Sequence, residues 1–285
     1  MKFAVKAPLR ITAMVARSVA GGLVALALAI GSTGCAGTAA APSDPGGATP
    51  AAVPAELTVS AAASLKSVLT STAPAFEKAN GVKLVYNFGT SGQLMKQIEG
   101  GAPVDVFLSA SPAAVATLSA EGLASAEESV AFAGNTLTIL VPKGNPAGIN
   151  GPDDLKKAEK LATGDPTVAP HGQKAQEWLT AIGQWDALAP KFVFAANAAQ
   201  TDDYIARGEV DAGIGFESDA KSRDDIEIAY QVPDGVIKPI KYVGAPITAS
   251  KQQQRAAAYL TYLLSPEMQQ AFVDAGFKPA PSKQG

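Results

Sequence analysis

The sequence predicts an α/β protein of two lobes joined by two extended crossings, with a ligand cleft between them. Three observations carry that prediction. From residue 56 onward, β-branched runs alternate with segments of helical periodicity, the pattern of strands joined by helices. Two early strands run directly into turns of small and hydroxylated residues at a helix start. Two extended passages, near 131–141 and 228–247, are long enough to carry the chain from one lobe to the other and back. The expected division is 56–136 with 236–285 as lobe 1, and 137–235 as lobe 2.

The first strand and turn read Leu57-Thr58-Val59-Ser60-Ala61-Ala62-Ala63-Ser64-Leu65. Ser64 stands where an N-cap hydroxyl could satisfy a free backbone N–H of the first turn, and the three alanines leave the backbone open to close approach. A helix follows over 65–78, with Pro74 expected to kink or restart it and Gly81 to end it. Residues 82–86 alternate as a strand and lead through Phe88-Gly89-Thr90-Ser91-Gly92 into a short helix over 93–99. Residues 103–108 are nearly all apolar, a buried strand, and Pro112 opens the next helix at a position where proline is tolerated.

After the first crossing, acids at Asp153 and Asp154 start a helix. Gly164-Asp165-Pro166 then leads past His171 into a helix over 173–182. Phe192-Val193-Phe194 is a strand, and Ala195-Ala196-Asn197-Ala198 leads into a helix over 201–207. Residues 210–216 form a short strand followed by Glu217-Ser218-Asp219, and two helices, over 252–264 and 266–275, close the chain.

The remaining residues precede this body. Residues 1–34 hold Lys2, Lys6, Arg10 and Arg17, no acid, and an apolar run too short for an ordinary membrane span, which reads as a secretory signal. It ends at Cys35, the only cysteine, in a context like a bacterial lipobox, although Ser32 stands where such motifs usually carry leucine. The expectation is cleavage before Cys35 and lipidation of its thiol, against the plainer reading of an unmodified cysteine. Residues 35–55 form a Pro-, Gly- and Ser-rich tether. A single cysteine excludes an internal disulfide and a thiolate metal cluster. Without the four cations of the leader, 19 Lys and Arg face 26 Asp and Glu, a net charge of −7, which argues against nucleic acid as a partner.

Catalytic motifs are thin. Gly89-Thr90-Ser91-Gly92 is not G-x-S-x-G, because the last glycine arrives one residue early. Ser218-Asp219-Ala220-Lys221 matches S-x-x-K without its companion motifs. His171 is the one histidine, so a Ser–His pair or a histidine metal site would have to rest on it alone. An anion site is better supported: Ser64, Thr90 and Ser91 place hydroxyls and N–H groups at helix starts, where the dipole also favours negative charge. The alternative for each is a helix cap and nothing more.

Several of these stretches together resemble the molybdate-binding proteins of ABC transporters. They are residues 59–65, Phe88-Gly89-Thr90-Ser91-Gly92, the run from Gln97 through Gly101-Ala102-Pro103 and Asp105 to Ala110, and Gly164-Asp165-Pro166. Gly213-Ile214 and Ser218-Asp219-Ala220 extend the likeness over nearly all of 56–285. The resemblance implies the type II periplasmic-binding-protein fold and a non-enzymatic, extracytoplasmic receptor. That receptor captures molybdate or tungstate and delivers it to an ABC permease, as a monomer anchored to the cell membrane through Cys35 and without a cofactor.

The resemblance also implies the ligands. Ser64 and Ser91 hold the oxyanion from lobe 1 and meet the metal only through its oxygens, while His171 and Ala198 contribute backbone groups from lobe 2. The family's tyrosine position is Phe216 here, so one hydrogen bond is missing, replaced by water, or supplied by a neighbour. For His171 two readings stand: a backbone N–H contact with the ring toward solvent, or a ring that donates to the anion and tightens binding as pH falls through about 6.5. Other readings of the chain are a receptor for another oxyanion or a small organic acid and, from a different class, a hydrolase using Ser64 or Ser91 with His171.

Overall fold

A computed structural model describes residues 55–221 and 223–281. The signal segment, Cys35 and the tether up to residue 54 lie outside the described residues.

The strands are β1 (Ala55–Ala62), β2 (Val82–Gly89), β3 (Val106–Ser109), β4 (Val130–Asn135), β5 (Leu137–Pro142), β6 (Leu161–Gly164), β7 (Phe192–Ala195), β8 (Ala212–Phe216), β9 (Ile226–Gln231), β10 (Ile240–Pro246) and β11 (Lys278–Pro279). The helices are α1 (Lys66–Asn80), α2 (Ser91–Glu99), α3 (Pro112–Ala120), α4 (Pro170–Ala181), α5 (Trp185–Leu188), α6 (Ala198–Ala206), α7 (Glu217–Lys221), α8 (Gln253–Leu263) and α9 (Pro266–Asp274).

Two sheets form. The first is six-stranded in the order β11-β4-β10-β3-β1-β2, and the second is five-stranded in the order β7-β6-β8-β5-β9. In the first sheet β1 pairs in parallel with both β2 and β3, as expected of strands joined by helices. In the second, β6 pairs in parallel with β7 and β8. Each parallel group is flanked by a strand of opposite sense, β10 beside β3 and β5 beside β8.

The chain leaves the first sheet at Asn135 and enters the second at Leu137, with Thr136 between. The extended stretch expected over 131–141 is therefore two strands, one in each sheet. The chain returns over 232–239, between β9 and β10. The two crossings touch, because Val232 N donates to Leu137 O at 2.9 Å.

Three local expectations need correction. Helix α1 runs unbroken through Pro74. In the turn before it, the Ser71 and Thr72 hydroxyls donate to Val68 O at 3.0 and 2.8 Å, giving that carbonyl side-chain donors. The helix expected at Asp153 is a 3-10 segment, Pro152–Lys157. Helices α4 and α6 each start three residues earlier than the periodicity indicates, at Pro170 and Ala198. Pro170 supplies no N–H and fits the first helical position, while the Asn197 side chain caps α6 by accepting from Gln200 N at 3.0 Å.

Buried side chains of the strands and the helices packed on them form the core, with Leu57, Val59, Leu65 and Leu69 fully buried in the first sheet's half. In the second, Trp178 of α4 stacks on Tyr230 of β9, centroids 6.0 Å apart. Among the described residues, no helix is long and apolar enough to cross a membrane.

Candidate oxyanion site

The carboxyl ends of strands from both sheets converge on one small cavity, the location at which open α/β sheets bind ligands. From the first sheet come Ser64 after β1, Ser91 after β2 and Ala110 after β3. From the second come His171 after β6, Ala198 after β7 and Phe216 at the end of β8. The cavity is tight, with a volume of about 10 Å³. All five residues expected to face the ligand thus line one enclosure.

Its electrostatics follow from the backbone. Helices α2, α4 and α6 all begin at the cavity wall, with Ser91, Pro170 and Ala198 as their first residues. The first N–H groups of a helix have no carbonyl partner within it, and the dipole adds partial positive charge at that end. In α4 the first such group belongs to His171, because Pro170 has none. No lysine or arginine is among the described residues that line the cavity. Oriented neutral donors therefore make it attractive to an anion.

Ser91 is fully buried, and its Oγ accepts a hydrogen bond from Ala110 N at 3.0 Å. Thr90 caps α2 by accepting from Gln93 N at 3.3 Å. Ser64 departs from expectation. It lies inside a 3-10 turn, Ala63–Leu65, and caps no helix with its side chain. Its Oγ is instead 2.9 Å from the hydroxyl of Tyr242 on β10. Tyr242 was not a sequence candidate, since an aromatic in an extended run reads simply as core.

His171 corrects the reading that turned its ring to solvent. The residue is 2% exposed, and Nε2 lies 3.1 Å from Thr201 Oγ1 of α6. The ring packs so closely over β6 that a Cβ on Gly164 would come within 2.6 Å of Nε2. Burial pushes the pKa of the imidazole down to about 4, so it is neutral at ordinary pH. In the ligand-free protein the ring therefore carries no charge near pH 6.5. Phe216 is 1% exposed and meets His171 edge-on at 6.0 Å and Tyr242 edge-on at 6.3 Å.

Beyond Ser64 and Ala198 the cavity adjoins a larger groove lined by Lys66, Asp202, Asp219 and Arg223. Arg223 is committed to carboxylates, with Asp203 and Asp225 each 2.7 Å away. Burial raises the pKa of Asp219 to about 7, although Phe216 N donates to its Oδ2 at 2.7 Å. Asp202 is raised too, by burial first and then by the charge of Asp219, and among the described residues its buried Oδ1 has no hydrogen-bond partner. Among the described residues, no group of three or more His, Cys, Asp or Glu side chains could hold a metal ion.

A two-sheet α/β chain that gathers its strand ends on one enclosed anion-seeking cavity has the architecture of the periplasmic binding proteins. The chain belongs to the bacterial extracellular solute-binding protein family, whose model matches residues 57–278. A molybdate-binding protein of Escherichia coli (strain K12) is 30% identical over 220 residues, 75% of this chain and 85% of that one. A Bacillus subtilis (strain 168) protein, provisionally named an ABC transporter substrate-binding lipoprotein, is 31% identical over 191 residues, 67% of this chain and 74% of its own. A solved domain from Clostridium difficile, provisionally assigned to a molybdenum ABC transporter as its substrate-binding domain, superposes with a TM-score of 0.64 at 32% identity. It covers 80% of this chain and 100% of that domain. The likeness also reaches an aconitate isomerase of Pseudomonas sp, 28% identical over 229 residues, 77% of this chain and 86% of that enzyme.

Proposed function

We propose that this protein captures molybdate or tungstate outside the cytoplasmic membrane and delivers it to an ABC permease. One observation carries the reading. Ser64 and Ser91 from one sheet, and the starts of α4 and α6 from the other, line the same cavity without any charged side chain. A dianion stripped of water needs a hydrogen bond to each oxygen, and neutral donors fixed in a rigid wall supply these without a buried counter-charge. The ligand set is Ser64, Ser91 and the backbone N–H groups of His171 and Ala198, with Phe216 as an apolar wall. Lobes 56–136 with 236–285 and 137–235 close on the ion. The resemblance to molybdate-binding proteins over most of the chain supports the choice of ion.

We read the chain as a binding protein without catalysis. His171 Nε2 is bonded to Thr201, Ser91 Oγ accepts from Ala110 N, and Ser64 is bonded to Tyr242, so neither serine is paired with an imidazole base. A single lipidated Cys35, in a monomer, is the accompanying proposal for the anchor, supported by the name of the Bacillus subtilis relative.

Calorimetry against molybdate, tungstate, sulfate and phosphate tests the assignment. Tight binding of the first two is expected. Sulfate should bind about 10–100-fold more weakly, because its shorter bonds leave at least one donor unsatisfied at about 1–3 kcal/mol. Absence of heat with every oxyanion overturns the reading, and a clear preference for a small organic acid replaces it.

A further inference from the structure

The groove beside the oxyanion cavity has a volume of about 490 Å³, in the range of small-molecule sites. One wall is the turn after β1 with the start of α1, and carries Lys66, Ser67 and Thr70. The other is α6 with α7, and carries Ala199, Asp202 and Asp219. The groove therefore runs between the halves that hold the two sheets, and it borders the oxyanion cavity only at Ala63, Ser64 and Ala198.

Asp202 is 6% exposed, and its Oδ1 has no hydrogen-bond partner among the described residues. A buried carboxyl oxygen in that state is uncommon, because the lost contact with water is not replaced. Of the charges around it, those of Asp219, Asp203 and Asp225 oppose its ionisation and only that of Arg223 favours it. Arg223 is already held by Asp203 and Asp225, each 2.7 Å away. Asp219 is fixed from behind: the Asn135 side-chain NH2 donates to Ser218 Oγ at 2.9 Å, and that hydroxyl lies 3.5 Å from Asp219 Oδ1. Lys66 is exposed, so solvent screens its charge. A positive group bearing N–H donors is what the groove calls for.

We propose that this groove is a second ligand site, separate from the oxyanion cavity, for a small organic molecule with a primary ammonium group. Its N–H donors meet Asp202, and its carbon skeleton lies against Ala63, Ala198 and Ala199. An ammonium brings three donors and a positive charge, which answers both the unpartnered Oδ1 and the acidic surplus around it. The opposite wall offers hydroxyl oxygens as further acceptors; Ser71 Oγ, for one, donates its proton to Val68 O at 3.0 Å and keeps its lone pairs open. A bare metal ion fits less well. Among the described residues no group of three or more His, Cys, Asp or Glu side chains could hold one, and the groove is far larger than an ion needs.

The test is calorimetry on the protein at pH 8 with n-butylammonium chloride as the probe, and with tetramethylammonium chloride and magnesium chloride as comparisons. No oxyanion is added, so the outcome is independent of the oxyanion reading. Butylammonium should bind at millimolar concentration, about 10-fold or more tightly than tetramethylammonium, which has the charge without an N–H. Asp202→Asn should weaken butylammonium about 10-fold or more by removing the charged partner. Ala199→Phe fills the groove, leaves both acids in place and should also remove binding; it serves as the second variant if Asp202→Asn does not fold. Absence of heat with butylammonium overturns the inference. So does equal binding of tetramethylammonium, tighter binding of magnesium, or unchanged affinity in either folded variant.

Discussion

Gly92 N donates to Val168 O at 3.2 Å, a backbone hydrogen bond that ties the first turn of α2 to the loop before α4. It joins the half of the chain that carries Ser91 to the half that carries His171, beside the cavity. A Cβ on Gly92 would lie 2.8 Å from that same oxygen, so glycine is required by space. Gly92→Ala should hold the two halves slightly apart and weaken oxyanion binding about 10-fold or more, since overpacking of this kind costs about 1–3 kcal/mol. Calorimetry measures the loss, and small-angle scattering with saturating molybdate should show a more open particle than wild type.

Ser91→Ala removes a hydroxyl that has two tasks. It should cost about 10–100-fold in molybdate affinity, the effect of one missing donor to a charged ligand. It also leaves Ala110 N without its acceptor, so the ligand-free protein should melt at a lower temperature. Unchanged affinity in Ser91→Ala would remove this serine from the ligand set.

His171 is expected to act on stability and leave affinity flat between pH 8 and 5.5. Its pKa falls from 6.5 to about 4 on folding, so below pH 6.5 the unfolded chain binds a proton that the folded one refuses. The contribution is complete above 6.5 and is lost as pH falls through 4, reaching about 3 kcal/mol. Denaturation at pH 7 and pH 4.5 measures it, and His171→Gln should flatten that part of the profile. Affinity that rose steeply from pH 7 to 5.5 would contradict the neutral, buried ring.

Asp202 has the opposite sign. Burial and the neighbouring Asp219 raise its pKa, so folding favours the protonated acid. That contribution is complete below the unfolded pKa and is lost as pH rises through the folded value. Asp202→Asn keeps the shape without the charge and should stabilise the protein above pH 7 by about 1–3 kcal/mol, with little change near pH 4. Thermal melts at pH 4.5 and 8 decide this. Destabilisation at pH 8 would mean that the Asp202 carboxylate is favourably paired.

Much of the site was legible because its signals are local. A β-branched run ending in small residues with a hydroxyl marks a strand end and a helix start, which located Ser64, Ser91 and the turn before Ala198. The hydrophobic periodicity and the two extended passages were enough for two sheets and two crossings, since each depends on residues near one another in the chain. The helix starts of α4 and α6 were less legible, because Pro170 and the Asn197 cap act at the edge of any periodic signal.

Tertiary structure alone decided what the polar atoms do. Ser64 looks like a cap in sequence, yet its partner lies 178 residues away on β10. Asn135 sits within an extended run where nothing marks it as a hinge donor. The His171 ring was free in sequence to face solvent or ligand, and close packing over Gly164 with a bond to Thr201 took the solvent choice away. Hydrophobic patterning is written along the chain because burial needs only the right face. The direction of a hydrogen bond depends on which donor and acceptor the fold brings within 3 Å, and that is settled only when the two sheets close on each other.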